Sequence, residues 1–139
     1  MEYSKKIIGR KHEQDILRRF IRDNGHNDHI AQTADKLQQC KQRILTTTTI
    51  DSICGIEGEA ASYYFGVFAE LMLNQQSQFT FNGRNRRPPK DAVNAMLSFV
   101  YTLICNDMTS ALETVGLDPY VGFMHTLRPG RASLALDMI

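Results

Sequence analysis

The stretch Gly-Ile-Glu-Gly-Glu, residues 55–59, sets a carboxylate between glycines inside a run with helical apolar spacing. Glycine lowers helix stability by about 1 kcal/mol relative to alanine, and a buried unpaired charge costs more. Glu57 lies four residues after Ile53 and three before Ala60, so it projects from the apolar stripe. Glu59 falls about 200° around the helix from it and is expected to face solvent. An inward carboxylate needs a cation or strong donors, and Gly55 and Gly58 leave room for something to come close. A metal ligand and a structural acid paired with an arginine both satisfy that pattern. His125 follows the apolar segment Tyr120-Val121-Gly122-Phe123-Met124, where a hydrogen-bonded structural imidazole is the plain alternative to a ligand. Asp137 sits in Leu134-Ala135-Leu136-Asp137-Met138-Ile139, either as a helix-end or surface acid or as a further inward oxygen. Two inward oxygens and one imidazole would suit Mg2+ or Mn2+ better than a structural zinc.

A second group of residues points to phosphate. Arg84, Arg86, Arg87 and Lys90 put four cations within seven residues, and no acid occurs between Glu70 and Asp91. Pro88-Pro89 stiffens the segment and lowers the entropy lost when it meets a partner. A solvated charged loop is the alternative to a phosphate-holding one. Arg128 and Arg131, near His125 and Asp137 in the chain, could extend a positive rim around an acidic centre. An acidic metal site ringed by arginines is what phosphodiester chemistry requires.

Helices must position these groups. Ile16, Leu17, Phe20 and Ile21 form one apolar stripe, stopped at Asn24-Gly25. Ile30, Ala34, Leu37, Lys41 and Ile44 form a second, and Thr46–Thr49 suits a connector. A third runs through Ile53, Ala60, Tyr64, Val67 and Leu71 toward Asn74. Residues 75–90 read as a loop with a short extended piece at Phe79–Phe81. After Pro89 comes the strongest helix, with Val93, Met96, Leu97, Val100, Ile104, Met108, Ala111, Leu112 and Val115, stopped at Gly116. Phe99 and Leu103 make it apolar on a second side, which predicts a central position. Leu117–Leu127 connects to a basic turn at residues 128–131, and Ser133 is expected to cap a final helix. There is no internal repeat. The class is all-α.

The totals set the frame. A chain of 139 residues with 42% hydrophobic content fits one compact domain, and a net charge of +1 singles out no partner. Residues 1–50 are net basic and residues 51–139 net acidic. Cys40, Cys54 and Cys105 are widely spaced among helical apolar positions and read as reduced core thiols of a reducing compartment. The start lacks a signal-peptide run, and the longest apolar run, Ala95–Cys105, is too short to span a bilayer. The expectation is a soluble cytoplasmic protein with no membrane association.

The motifs "GIEGEAASYYF", "FNGRNRRPPKDAVNAMLSFVYTLI" and "ALETVGLDPYVGFMHTLRPGRASLALDMI" together strongly resemble the CRISPR adaptation integrases, the Cas-one family, most closely its type I-C-like members. The likeness is specific over residues 53–139 and looser over 1–52. Asn85 and Ala92 depart from the commoner "GRSRRPPKDPVNALLS" pattern. The resemblance implies that residues 1–139 are the α-helical catalytic domain alone, without the family's N-terminal β-sandwich and truncated at the C-terminus. It implies Glu57, His125 and Asp137 as catalytic metal ligands. Asp137 matches the first acid of a pair whose second member, usually a direct ligand, would fall just beyond Ile139. The implied activity is a metal-dependent endonuclease and integrase that joins a DNA 3′-hydroxyl to the CRISPR repeat. Arg84, Arg86, Arg87, Lys90, Arg128 and Arg131 would then hold DNA. Homodimerisation and assembly with the small Cas-two protein are implied too. Two other readings stand beside it: a catalytically incomplete helical fragment that binds DNA or an integrase partner without turnover, and a nuclease using water as nucleophile.

Overall fold

The computed structural model describes residues 11–74 and 77–139; residues 1–10 and the first two of the expected 75–90 loop lie outside that description. Every regular element among the described residues is helical. The chain divides into two compact units, residues 1–84 and 85–139.

In the first unit, α1 (Lys11–Asn24) packs on α2 (Asp28–Thr46), and α2 packs on α3 (Ile50–Val67), which continues into a 3-10 turn at Phe68–Leu71. The boundaries follow from local chemistry. Gly25, with φ 94°, ends α1 in the left-handed region that glycine adopts without a Cβ penalty. Asn27 caps α2 by accepting from the Ile30 N–H at 3.1 Å, and its amide donates to Glu70 in the 3-10 turn at 3.0 Å. The threonine run is a connector because Thr49 leaves the helical region to cap α3, accepting from the Ser52 N–H. The core is Leu17, Ile30, Ala34, Leu37, Cys40, Ile44, Ile53, Ile56, Ala60 and Val67. Ile16, expected within the apolar stripe of α1, is exposed; Gln14 is buried in the same helix and its amide donates to the Ala34 carbonyl. Phe81 is buried against Phe65 and Phe68, with ring centroids 6.2 and 5.0 Å away. The residues expected to extend at 79–81 therefore serve as an aromatic plug rather than a strand.

The second unit contains α4 (Ala92–Thr114) and the short α5 (Ser133–Met138), which pack together. Asp91 caps α4, accepting from the Asn94 N–H at 2.7 Å, and these bonds hold its carboxyl below the usual range. Gly116, with φ 78°, stops the helix as expected. The predicted central position of α4 is not what the structure shows. Met96, Phe99, Val100, Leu103 and Ile104 are all exposed, Phe99 by 65%. The other helix of its unit, α5, has six residues, too few to cover both apolar sides. Ser133 is not the cap of α5 either. Ala132 holds that position without a side-chain bond, and the Pro119 carbonyl accepts from the Leu134 N–H at 2.9 Å in place of a cap.

The thiols also sort differently from the expectation. All three cysteines are free, but only Cys40 is buried; Cys54 is exposed and Cys105 half-buried. Both belong to helices with wide apolar faces, where periodicity does not separate the core side from the rest. Among the described residues no helix is long and apolar enough to cross a membrane.

Candidate metal and nucleic-acid site

Glu57 projects from α3 beside the buried Ile53, Ile56 and Ala60 and is half-buried. Glu59 does not simply face solvent. It receives the Arg43 guanidinium at 2.8 Å and the Tyr63 hydroxyl at 2.8 Å, which ties α2 to α3. The Tyr63 hydroxyl and the Arg43 cation hold the Glu59 carboxyl below its usual value. A carboxyl depressed in the fold contributes stability above its unfolded pKa and loses it as the pH falls through the folded one. The stability gap between the natural chain and Glu59→Gln is therefore present at neutral pH and closes progressively below about 4.5, the unfolded carboxyl's value. Urea unfolding over a pH series measures it.

His125 and Asp137 meet directly in the second unit. The His125 ring Nδ1 lies 2.5 Å from Asp137 Oδ1, and the His125 backbone N–H donates to the same oxygen at 3.0 Å. The other oxygen, Oδ2, accepts from the N–H groups of Phe123 at 2.6 Å and Met124 at 2.9 Å. Three successive backbone donors and one ring donor thus converge on one carboxylate, an anion-binding concavity occupied by the chain's own side chain. The Asp137 side chain is fully buried and the imidazole one-third exposed. Burial raises the carboxyl's pKa, but the Met124 N–H, the His125 ring and the His125 and Phe123 N–H groups outweigh it and hold Asp137 below the usual range.

Gly122 makes the close approach possible. A Cβ there would stand 2.7 Å from Asp137 Oδ2 and 2.8 Å from Ser133 Cβ. Inspection of the sequence singled out His125 and Asp137 but missed Gly122. A glycine inside an otherwise apolar non-helical segment is the signal that could have found it.

The basic loop is tied down by amides that the sequence reading also passed over. Asn94, wholly buried at the start of α4, accepts from the Asn85 N–H at 2.9 Å and donates to Asp91 at 2.6 Å. Asn85 in turn accepts from the Lys90 N–H at 2.7 Å, closing the turn that carries Arg86 and Arg87. Arg86 lies over the Tyr101 ring, 5.2 Å from its centroid. Arg86, Arg87, Lys90 and Arg128 are exposed, with Arg84 and Arg131 half-buried. Asn94→Ala leaves the part-buried Asn85 N–H without this acceptor and is expected to destabilise the chain by about 1 kcal/mol, measured by urea unfolding.

As a metal position, the His125 end has suitable chemistry. In the neutral ring, an Nδ1–H donated to Asp137 leaves the lone pair on Nε2, the arrangement common to metal-binding histidines. Within neither unit do three His, Cys, Asp or Glu side chains among the described residues converge on one point. Glu57 belongs to the first unit and His125 and Asp137 to the second. The family described as CRISPR associated protein Cas1 matches residues 1–139, the whole chain. The chain belongs to the Cas1 family.

It is 44% identical over 141 residues to a CRISPR-associated endonuclease Cas1 of Rhodospirillum rubrum, covering 96% of this chain and 41% of that relative. Among solved structures, a partial Cas6-RT-Cas1–Cas2 complex matches 98% of this chain and 40% of the other, with a TM-score of 0.83 at 26% identity. A casposase bound to its integration product matches 96% of this chain and 37% of that one, with a TM-score of 0.67 at 27% identity. The Cas1 chain described here thus spans less than half of each of these proteins. The expected all-α architecture is the one these Cas1 structures share over the matched region.

Proposed function

We propose that this chain is the helical catalytic part of a CRISPR spacer-acquisition integrase, in which a DNA 3′-hydroxyl attacks a phosphodiester of the repeat and displaces its neighbouring 3′-oxygen. The observation that carries this reading is the match of all 139 residues to the Cas1 family. The casposase likeness supports it, since that protein was captured with an integration product.

Glu57, through a carboxylate oxygen, and His125, through Nε2, would hold a divalent ion, Mg2+ or Mn2+. When bound, the ion supplies charge stabilisation for the transferring phosphate and the leaving oxygen. Asp137 keeps the His125 ring oriented. Arg84, Arg86, Arg87, Lys90, Arg128 and Arg131 would grip the phosphate backbone and so set the register of the DNA without reading bases. Cas2 would be the assembly partner, as it is in the complex that this chain resembles, and a homodimer the working form.

The test is strand transfer, with a labelled 3′-hydroxyl DNA end, a repeat-containing target, Cas2 and Mn2+. Joined strands support the integrase. Hydrolysed target without joined strands would replace it with a nuclease using water. DNA binding with neither product, in a correctly folded chain, would leave the non-catalytic binding reading. On the binding side, Arg86→Ala and Arg87→Ala are each expected to lower the slope of log affinity against log salt by about 1, read by fluorescence anisotropy with duplex DNA.

A further inference from the structure

The basic loop is fixed at its backbone in two places, and Arg86 stands between them. Asn94 on α4 accepts from the Asn85 N–H at 2.9 Å, and Asn85 accepts from the Lys90 N–H at 2.7 Å. Asn94 is wholly buried, so the first anchor is tied into the fold. What these backbone bonds leave undetermined is the long Arg86 side chain. Tyr101 meets it. Seven residues after Asn94, Tyr101 comes round to the same side of α4, about 10 Å further along at 1.5 Å per residue. There the Arg86 guanidinium carbon stands over the ring, 5.2 Å from its centroid. The Cys105 thiol, one turn on, registers the same placement. Burial raises its pKa, while the Tyr101 hydroxyl and the Arg86 charge both act against that rise. Arg87, the next residue of the loop, is exposed and has no ring partner among the described residues.

We infer that Tyr101 is a positioning residue for phosphate: its ring holds the Arg86 side chain in an ordered pose before DNA arrives, whereas Arg87 is ordered only on contact. This rests on the DNA-holding reading above and gives the two adjacent arginines different parts in it. An arginine carries much rotamer freedom, and fixing it costs affinity at the moment of binding unless it is already fixed in the free protein. Attraction to the ring uses the cation's charge and none of its N–H donors, so all five stay available to phosphate oxygens. Leucine at position 101 would keep apolar bulk beneath the loop without the negative face of a ring. Phenylalanine would keep that face and lose only the hydroxyl.

Fluorescence anisotropy of the full chain with a labelled DNA duplex, over a salt series, is the first measurement. Tyr101→Leu is expected to weaken binding about 3–10-fold at fixed salt. It leaves the slope of log affinity against log salt unchanged, because the number of neutralised phosphates is the same. Tyr101→Phe is expected to bind within about twofold of the wild type. In double-mutant cycles, Tyr101→Leu has no further effect once Arg86 is alanine, yet keeps its full effect beside Arg87→Ala. A ring that served only the fold would give the same loss in both backgrounds. That result would overturn the inference, as would tighter binding in Tyr101→Leu, which would mean that the ring holds Arg86 away from phosphate. Nitrogen NMR of the arginine side chains, without DNA, is the second measurement. The Arg86 Nε–H is expected to be more ordered than that of Arg87, with a ring-current shift that Tyr101→Phe keeps and Tyr101→Leu removes. Equal mobility of the two arginines in the wild type would overturn the inference, even if Tyr101→Leu failed to fold. A wild-type chain that binds no duplex defeats the DNA-holding reading and the phosphate half of the inference with it, whereas the NMR comparison still decides whether Tyr101 orders Arg86.

Discussion

Glu57→Ala and His125→Ala are each expected to lower the strand-transfer rate by about 10³-fold or more, roughly 4 kcal/mol of transition-state stabilisation. Each is proposed as a ligand of the divalent ion, so losing either would weaken the counter-charge available to the transferring phosphate. Glu59→Ala supplies the internal contrast, two residues away on the same helix. Its carboxylate is already committed to Arg43 and Tyr63, so its loss is expected to weaken the fold while changing the rate by less than about tenfold. Single-turnover gel assays, with folding checked by circular dichroism, separate the two outcomes. Equal losses at positions 57 and 59 would show that α3 is being damaged rather than a site emptied.

Gly122→Ala carries the largest expected cost in stability, about 3 kcal/mol, from overpacking together with a strained buried hydrogen-bond group. The added methyl would stand 2.7, 2.8 and 2.9 Å from Asp137 Oδ2, Ser133 Cβ and the Ser133 carbonyl carbon. None of these can yield cheaply. The carboxylate is held by four donors, and Ser133 is buried and its hydroxyl donates to the Thr126 carbonyl. The turn must lift away from α5, and the N–H groups of Phe123, Met124 and His125 lose their acceptor. Urea unfolding measures the loss. Glycines at 55 and 58 serve as controls, because a Cβ there meets nothing within 4 Å; alanine at either is expected to be neutral or slightly stabilising.

The sequence carried the helices where period, caps and stops agreed. It failed at Ser133, which is not a cap, and at the third stripe, read toward Asn74, where the α-helix ends at Val67 and its 3-10 turn at Leu71. Thr49, Asp91 and Gly116 each sit where the local chemistry demands a boundary. Burial was legible only where apolar spacing was one-sided. In α2 the apolar members of the stripe, Ile30, Ala34, Leu37 and Ile44, are buried as read, whereas α4 is apolar on two sides and neither Phe99 nor Leu103 is covered. Helical phase turned Glu57 inward from α3, but it also put Glu59 in solvent, and there it missed Arg43 waiting on the neighbouring helix. A one-dimensional pattern registers which way a side chain leaves its own helix, not what another helix brings to meet it. The same limit hid Gly122 and Asn94, whose roles depend on groups 15 and 9 positions along the chain.

The central proposal is that Glu57 and His125 each serve as a ligand for a divalent ion. Mn2+ titration of the wild type, Glu57→Ala, His125→Ala and the double variant, followed by calorimetry, addresses it most directly. The proposal predicts Mn2+ binding in the wild type that is weakened in each single variant. Mn2+ binding that survives both replacements at unchanged affinity and stoichiometry would contradict it.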